Sequence, residues 1–223
     1  MSDEVCPLCG GYKILFNGEP CSCVINKRTF NKGITLLDVP EQYQGIEYNE
    51  SVVDKTMGDF YSKTLSNIYK SVCSNTLKNR NYLICSPKQT SKTVMAYSAL
   101  QFLFQNDIDV FPIYDVLELR KITIDMDLNR KQTYTVSDPE KILNVQYLFV
   151  KIPAYIVNEV FQMMSVLVDR RSRRNACTIF IYDGSYKTLE KLDYKSILKS
   201  LVGDGSYGTI KVHNFWREGE QDE

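Results

Sequence analysis

Residues 81–104 constrain this chain more than any other stretch. Asn81-Tyr-Leu-Ile-Cys85 is short, apolar and β-prone. Ser86-Pro-Lys-Gln-Thr-Ser-Lys-Thr93 follows as a loop, and the next segment carries Val94, Met95, Ala99, Phe102 and Leu103 at helical spacing. Strand, loop and helix in this order are the setting of a phosphate-binding loop, G-x-x-x-x-G-K-[ST], whose backbone N–H groups cradle phosphates and whose lysine reaches them. Lys92 and Thr93 match the end of that pattern, but Ser86 and Ser91 stand where it has its two glycines. The residues alone leave three readings open: a working nucleotide site, a relic of one, or a chance match.

The rest of residues 46–223 alternates between helical and strand periodicity. An amphipathic helix is predicted over 54–78, with Phe60, Tyr61, Leu65, Ile68, Tyr69, Val72 and Leu77 on one face. A strand is predicted over 109–114, where Pro112 argues for an edge or a bulge. A helix over 116–124 and a turn at Asp138-Pro139 precede a buried strand over 145–150. Helix 155–168, strand 177–182, a mostly helical stretch 186–201 and a last strand 207–212 complete the pattern. Strands alternating with helices imply an α/β fold, with helices packed on a parallel sheet. Ligands in such sheets bind at the carboxyl ends of the strands, where the 86–93 loop would lie.

The first 26 residues read differently. Four of the seven cysteines fall here, as Cys6-Pro-Leu-Cys9-Gly10-Gly11 and Cys21-Ser-Cys23, with a hairpin signal at Asn17-Gly18 between the pairs. Four thiolates brought to one point form a closed tetrahedral zinc site, and its binding energy replaces a core so short a segment cannot build. Free surface thiols or a redox pair are the alternatives; structural Zn2+ on Cys6, Cys9, Cys21 and Cys23 is the reading favoured. Prolines and glycines then mark residues 27–47 as a linker, so the organisation expected is a zinc knuckle over 1–26, a linker over 27–47 and an α/β domain over 48–223. Cys73, Cys85 and Cys177 lie in apolar settings and read as small core residues.

Lysine plus arginine and aspartate plus glutamate both total 27, so the net charge is zero and any nucleic-acid contact must come from a local patch. Arg170, Arg171, Arg173 and Arg174 are the candidate patch for single-stranded DNA, although arginines closing a helix also suit its macrodipole. No apolar run approaches the roughly 20 residues that span a bilayer, and the first residues lack the regions of a signal peptide. A cytoplasmic protein with no membrane role is expected. The only histidine, His213, falls in a predicted strand with no serine or cysteine nucleophile beside it.

The order of these pieces resembles the DnaC/DnaI-type helicase loaders of the AAA+ superfamily, especially the short phage-encoded DnaC-like replication proteins. Those proteins begin with a C-P-x-C-G-G knuckle closed by C-x-C, followed by a step matched here by Val39-Pro-Glu-Gln-Tyr43. The resemblance implies an AAA+-like P-loop core, with the Walker A element over 82–103 and the Walker B strand over 147–153. By resemblance, Lys92 and Thr93 would contact phosphates and Mg2+, together with Ser86 and Ser91 at the degenerate glycine positions, and the sensor position falls near Asp183. The paired carboxylates that hold Mg2+ and activate water fall on Lys151 and Ile152. A lysine cannot ligate Mg2+ as a cation, and isoleucine can neither polarise water nor accept a proton. No catalytic residue is therefore expected, and ATP with Mg2+ is the cofactor in question.

What the resemblance implies about function is a replication accessory protein of helicase-loader type and a pseudo-ATPase. It would bind the replicative DNA helicase or its loader as adaptor, non-catalytic subunit or inhibitor, as a homo- or hetero-oligomer, in the host cytoplasm if phage-encoded. Two alternatives stand beside it: an active ATP-dependent loader whose catalytic groups are displaced, for instance to Asp183 or Glu118, and a single-stranded nucleic-acid-binding module that uses no nucleotide.

Overall fold

The computed structural model describes residues 31–48, 57–77, 80–116, 119, 139–153, 158–192 and 195–215. Cys6, Cys9, Cys21 and Cys23 lie outside these residues, as do Glu118 and most of the helix expected over 116–124. Strands β1 (Asn81–Cys85), β2 (Tyr114–Asp115), β3 (Tyr147–Ile152), β4 (Cys177–Tyr182) and β5 (Lys211–Asn214) form one sheet in the order β2-β3-β4-β1-β5. Every pair is parallel. The helices are α1 (Asp59–Cys73), α2 (Lys92–Gln105), α3 (Pro139–Asn144), α4 (Asn158–Ser172), α5 (Tyr186–Glu190) and α6 (Lys195–Leu201).

The central strands are apolar at nearly every position because both faces of the sheet are covered. Successive side chains point to opposite faces. Ile84 of β1, Tyr147 and Phe149 of β3, and Ile179 and Ile181 of β4 meet Tyr61 and Leu65 of α1 and Met95, Ala99 and Leu103 of α2. The alternate residues Leu83 and Cys85, Leu148 and Val150, and Phe180 and Tyr182 meet Phe161, Met164 and Leu167 of α4, with Leu198 of α6. The expected α/β sheet with helices on both faces is what these two layers show. Cys85 and Cys177 are buried in them, and Cys73 is half-buried. No helix among the described residues is long and apolar enough to cross a membrane.

Several boundaries differ from the sequence reading. The strand expected over 109–114 shrinks to Tyr114–Asp115, with one isolated bridge from Val110 to Tyr147. Pro112 lies between them and offers no N–H to a ladder. Of the turn expected at Asp138-Pro139, Asp138 lies outside the described residues, and Pro139 starts α3, where its missing N–H is no loss. The stretch 186–201 is divided between α5 and α6. The last strand begins at Lys211, after an Ile210–Val202 bridge.

The described part of the segment read as linker is packed. Residues 31–36 are helical, Glu41–Tyr43 make a 3-10 turn, and Leu37, Val39 and Tyr48 are buried against α1 and α2. Two polar side chains of α2 hold this strap. Gln101 Oε1 accepts from the Gly45 N–H and its Nε2 donates to the Tyr43 carbonyl, both at 3.0 Å, while Ser98 Oγ accepts from the Tyr48 N–H at 2.8 Å. Such bonds satisfy backbone groups that burial would otherwise leave orphaned. At its start, Gly33 lies so close to Phe104 that an added Cβ would come within 2.6 Å of the ring.

Candidate functional site

The carboxyl ends of β1, β4 and β3 lie side by side, since Cys85 and Ile152 both pair with Tyr182. The sheet thus brings together the 86–93 loop, Lys151 and Asp183, which are far apart in sequence. Residues 92–105 form α2, whose N-terminus faces this point. Its N-cap, Ser91, has φ 67°, and Gln89 has φ 62°. Both are left-handed conformations costing a non-glycine residue about 1–2 kcal/mol. The loop thus keeps a glycine-like backbone at Ser91 without glycine.

Hydroxyl groups tie the loop to itself. Thr90 Oγ1 donates to the Pro87 carbonyl at 2.7 Å, and Ser86 Oγ lies 2.7 Å from Thr90 Oγ1, which can then accept its proton. Tyr61, fully buried on α1, donates its phenol to the Thr90 carbonyl. The serine at the first glycine position is therefore a bonded element of the loop.

Lys92 is 1% exposed and turns back under the loop. Its Nζ is 2.6 Å from Asp183 Oδ1, 2.7 Å from the Pro87 carbonyl and 3.1 Å from the Ser86 carbonyl. An ammonium has three protons to donate, so these acceptors saturate it. Burial pushes its pKa down, and the attraction of Asp183 opposes that shift. The second oxygen of Asp183 lies 3.7 Å from the Nζ of Lys151, which is half exposed at the end of β3. One carboxylate thus joins two lysines. Thr93 is half-buried in the first turn of α2.

Of the residues singled out from sequence, Ser86, Ser91, Lys92, Thr93 and Asp183 do come together. Thr90 and Tyr61 were not foreseen. Nothing in the local pattern marks a tyrosine of α1 as a partner of this loop; only the packing of α1 beside α2 brings it there.

The arginine cluster is a different matter. Arg171 is fully buried and cannot touch nucleic acid. Its Nε donates to Thr178 Oγ1 at 2.9 Å, and the two terminal nitrogens donate to the carbonyls of Ile142 and Cys177. The guanidinium pins α4 to the end of α3 and the start of β4. Of the exposed pair, Arg173 is bound to Asp169 at 2.9 Å, and Arg174 donates to Asn144 Oδ1 at 2.9 Å. His213 lies on β5 beside the rings of Tyr82 and Phe215, and burial, then Lys211, pushes its pKa down.

No family model and no curated protein matches this sequence. Solved structures do. The crystal structure of the DnaC helicase loader aligns over 78% of this chain and 98% of its own, at 10% identity and a TM-score of 0.51. A candidate primosome component from Streptococcus pyogenes serotype M3 aligns over 81% of this chain and 98% of its own, at 16% identity and a TM-score of 0.51. The fold is therefore that of these solved structures, the DnaC helicase loader among them. The sequence resemblance gives the loop after β1 the place of a phosphate loop and the end of β3 that of the metal-holding acids.

The residues present do not fit a magnesium-bound nucleotide. Lys151 brings an ammonium to the end of β3, and Ile152 is buried and apolar. Asp183 is the carboxylate at the loop, and both its oxygens face lysines. Among the described residues, no three His, Cys, Asp or Glu side chains come together as a cation site. A divalent ion held by Asp183 here would sit beside the Lys151 ammonium, which repels it.

Proposed function

We propose that this chain is a DNA-replication accessory protein of helicase-loader type that does not hydrolyse ATP. It binds the replicative helicase or its loader as an adaptor, a non-catalytic subunit or an inhibitor. The fold supports the first part of this reading. The observation that carries the second is the Lys92–Asp183–Lys151 arrangement, which puts an ammonium where hydrolysis needs a carboxylate and engages the remaining acid. A displaced-acid ATPase that relies on Asp183 would first have to strip it from a saturated, buried lysine. A nucleic-acid module that grips through residues 170–174 loses Arg171 from its surface.

The deciding experiment is a pull-down of replicative helicase and loader by the purified chain, with and without ATP. Capture of either supports the reading, and capture of neither in any nucleotide state defeats it. ATP turnover above that of a Lys92→Ala control would defeat the non-hydrolytic part alone. In the same reading Cys6, Cys9, Cys21 and Cys23 hold a structural zinc, so metal analysis should return about one zinc per chain. An undiminished zinc content in the Cys6→Ser/Cys9→Ser double variant would reject those ligands.

A further inference from the structure

The departures of this site from a phosphate loop fit one another. In a working site a lysine faces an anionic phosphate, and the phosphate faces a magnesium ion. The same alternation of charge is present here, built from protein. Lys92 faces the carboxylate of Asp183 at 2.6 Å, and that carboxylate faces the ammonium of Lys151 at 3.7 Å. We propose that Asp183 stands in for the phosphate and Lys151 for the metal, so that the Lys92–Asp183–Lys151 chain holds the loop closed with no nucleotide and makes its closed form insensitive to one. This rests on the reading of the site as non-hydrolytic and adds how that site is regulated: it is permanently filled.

Three further observations carry it. Exposure rises along the chain, from 1% at Lys92 through 16% at Asp183 to 50% at Lys151, so the stand-in runs outward from the buried loop lysine to solvent, as an entering ligand would. The hydroxyls of Ser86 and Thr90 bond within the loop, and Tyr61 holds the Thr90 carbonyl from α1, so these hydroxyls and this carbonyl are already paired. A polyphosphate entering here would also bring negative charge against Asp183, and its magnesium would come against Lys151.

The test uses the full chain and reads hydrogen exchange over residues 86–93 together with the melting temperature, with Mg·ADP and Mg·ATP as probes. Neither probe should change the exchange of the 86–93 amides or the melting temperature of the wild-type chain. A nucleotide bound at 100 times its Kd would instead raise the melting temperature by about 5–10 °C. Asp183→Asn should speed exchange in 86–93 by on the order of 100-fold, since it leaves the Lys92 ammonium without its carboxylate. Should that variant fail to fold, Lys151→Met carries the test: its side chain is half exposed, and exchange should rise several-fold in the loop and nowhere else. Stabilisation of the wild type by Mg·ADP without turnover would overturn the stand-in yet leave the non-hydrolytic reading in place. Unchanged loop exchange in both variants would overturn it as well. Failure to capture helicase or loader would remove the proposed function and leave this inference untouched.

Discussion

Replacing Arg171 with methionine separates a structural arginine from a nucleic-acid contact. The guanidinium is fully buried, no described carboxylate pairs with it, and burial pushes its pKa down to about 10. It is held by Thr178 Oγ1 at 2.9 Å, the Cys177 carbonyl at 2.7 Å and the Ile142 carbonyl. Methionine fills much of the same volume, so the cavity contribution is small. It leaves three buried acceptors without their donor, at about 1–3 kcal/mol each. Removing a charge that is costly to bury offsets several kcal/mol of that loss. The net expectation is a loss of about 3 kcal/mol, which in a chain of this size lowers the melting temperature by about 6–12 °C. Arg171→Lys should lose nearly as much, because an ammonium on a single stem cannot span three acceptors that a planar fork reaches together. Thermal and urea unfolding followed by circular dichroism measures the loss, and fluorescence anisotropy with a labelled oligonucleotide measures binding. Arg173→Ala and Arg174→Ala, both exposed, should stay within about 0.5 kcal/mol of wild type. Should Arg171→Met melt with the wild type while oligonucleotide binding collapses, the burial argument is refuted.

Stability should fall as pH rises above about 9. Burial holds the Cys177 thiol up to about 12 and the Cys73 thiol up to about 11, with Cys85 also raised, against an ordinary value of 9. The unfolded chain loses these protons first, so their stabilising contribution is complete below pH 9 and drains away above it, at up to about 1.4 kcal/mol per pH unit for each of the buried thiols of Cys85 and Cys177. Half-buried Cys73, which solvent screens, contributes less. Urea midpoints from pH 8 to 11 would measure the slope, and a flat profile would contradict it. Gln101→Ala removes both bonds to the strap and should cost about 1–2 kcal/mol. Faster proteolysis within residues 43–48 is its local signature; equal cleavage rates would mean that Ser98 and the burial of Leu37, Val39 and Tyr48 hold the strap without Gln101.

The sheet and its central loop were legible because their signals are local. An apolar run of strand length and a helix with a regular stripe define β1 and α2 without help from the rest of the chain. The residue types at 86, 91, 151 and 152 also marked the site as altered. How it is altered depends on which strand ends are neighbours, and residue types do not carry that. Asp183 looked like a poor sensor residue, whereas the order β3-β4-β1 puts it between two lysines. Arg171 was misread because four arginines in five positions at a helix end look alike, and only the helix phase separates the one that points inward. Residues 27–47 read as linker from their prolines and glycines. Their anchors, Ser98 and Gln101, look in sequence like ordinary polar positions of a helix.

That strap sets a reach. With residues 27–47 free, a segment holding Cys23 could range about 70–75 Å from the α/β domain, at about 3.3–3.6 Å per residue. With the chain packed from Asn31 onward, Cys23 lies no farther from Asn31 than about 30 Å, because only residues 24–30 separate them. A ligand held by Cys23 would therefore stay within that distance of the start of the strap.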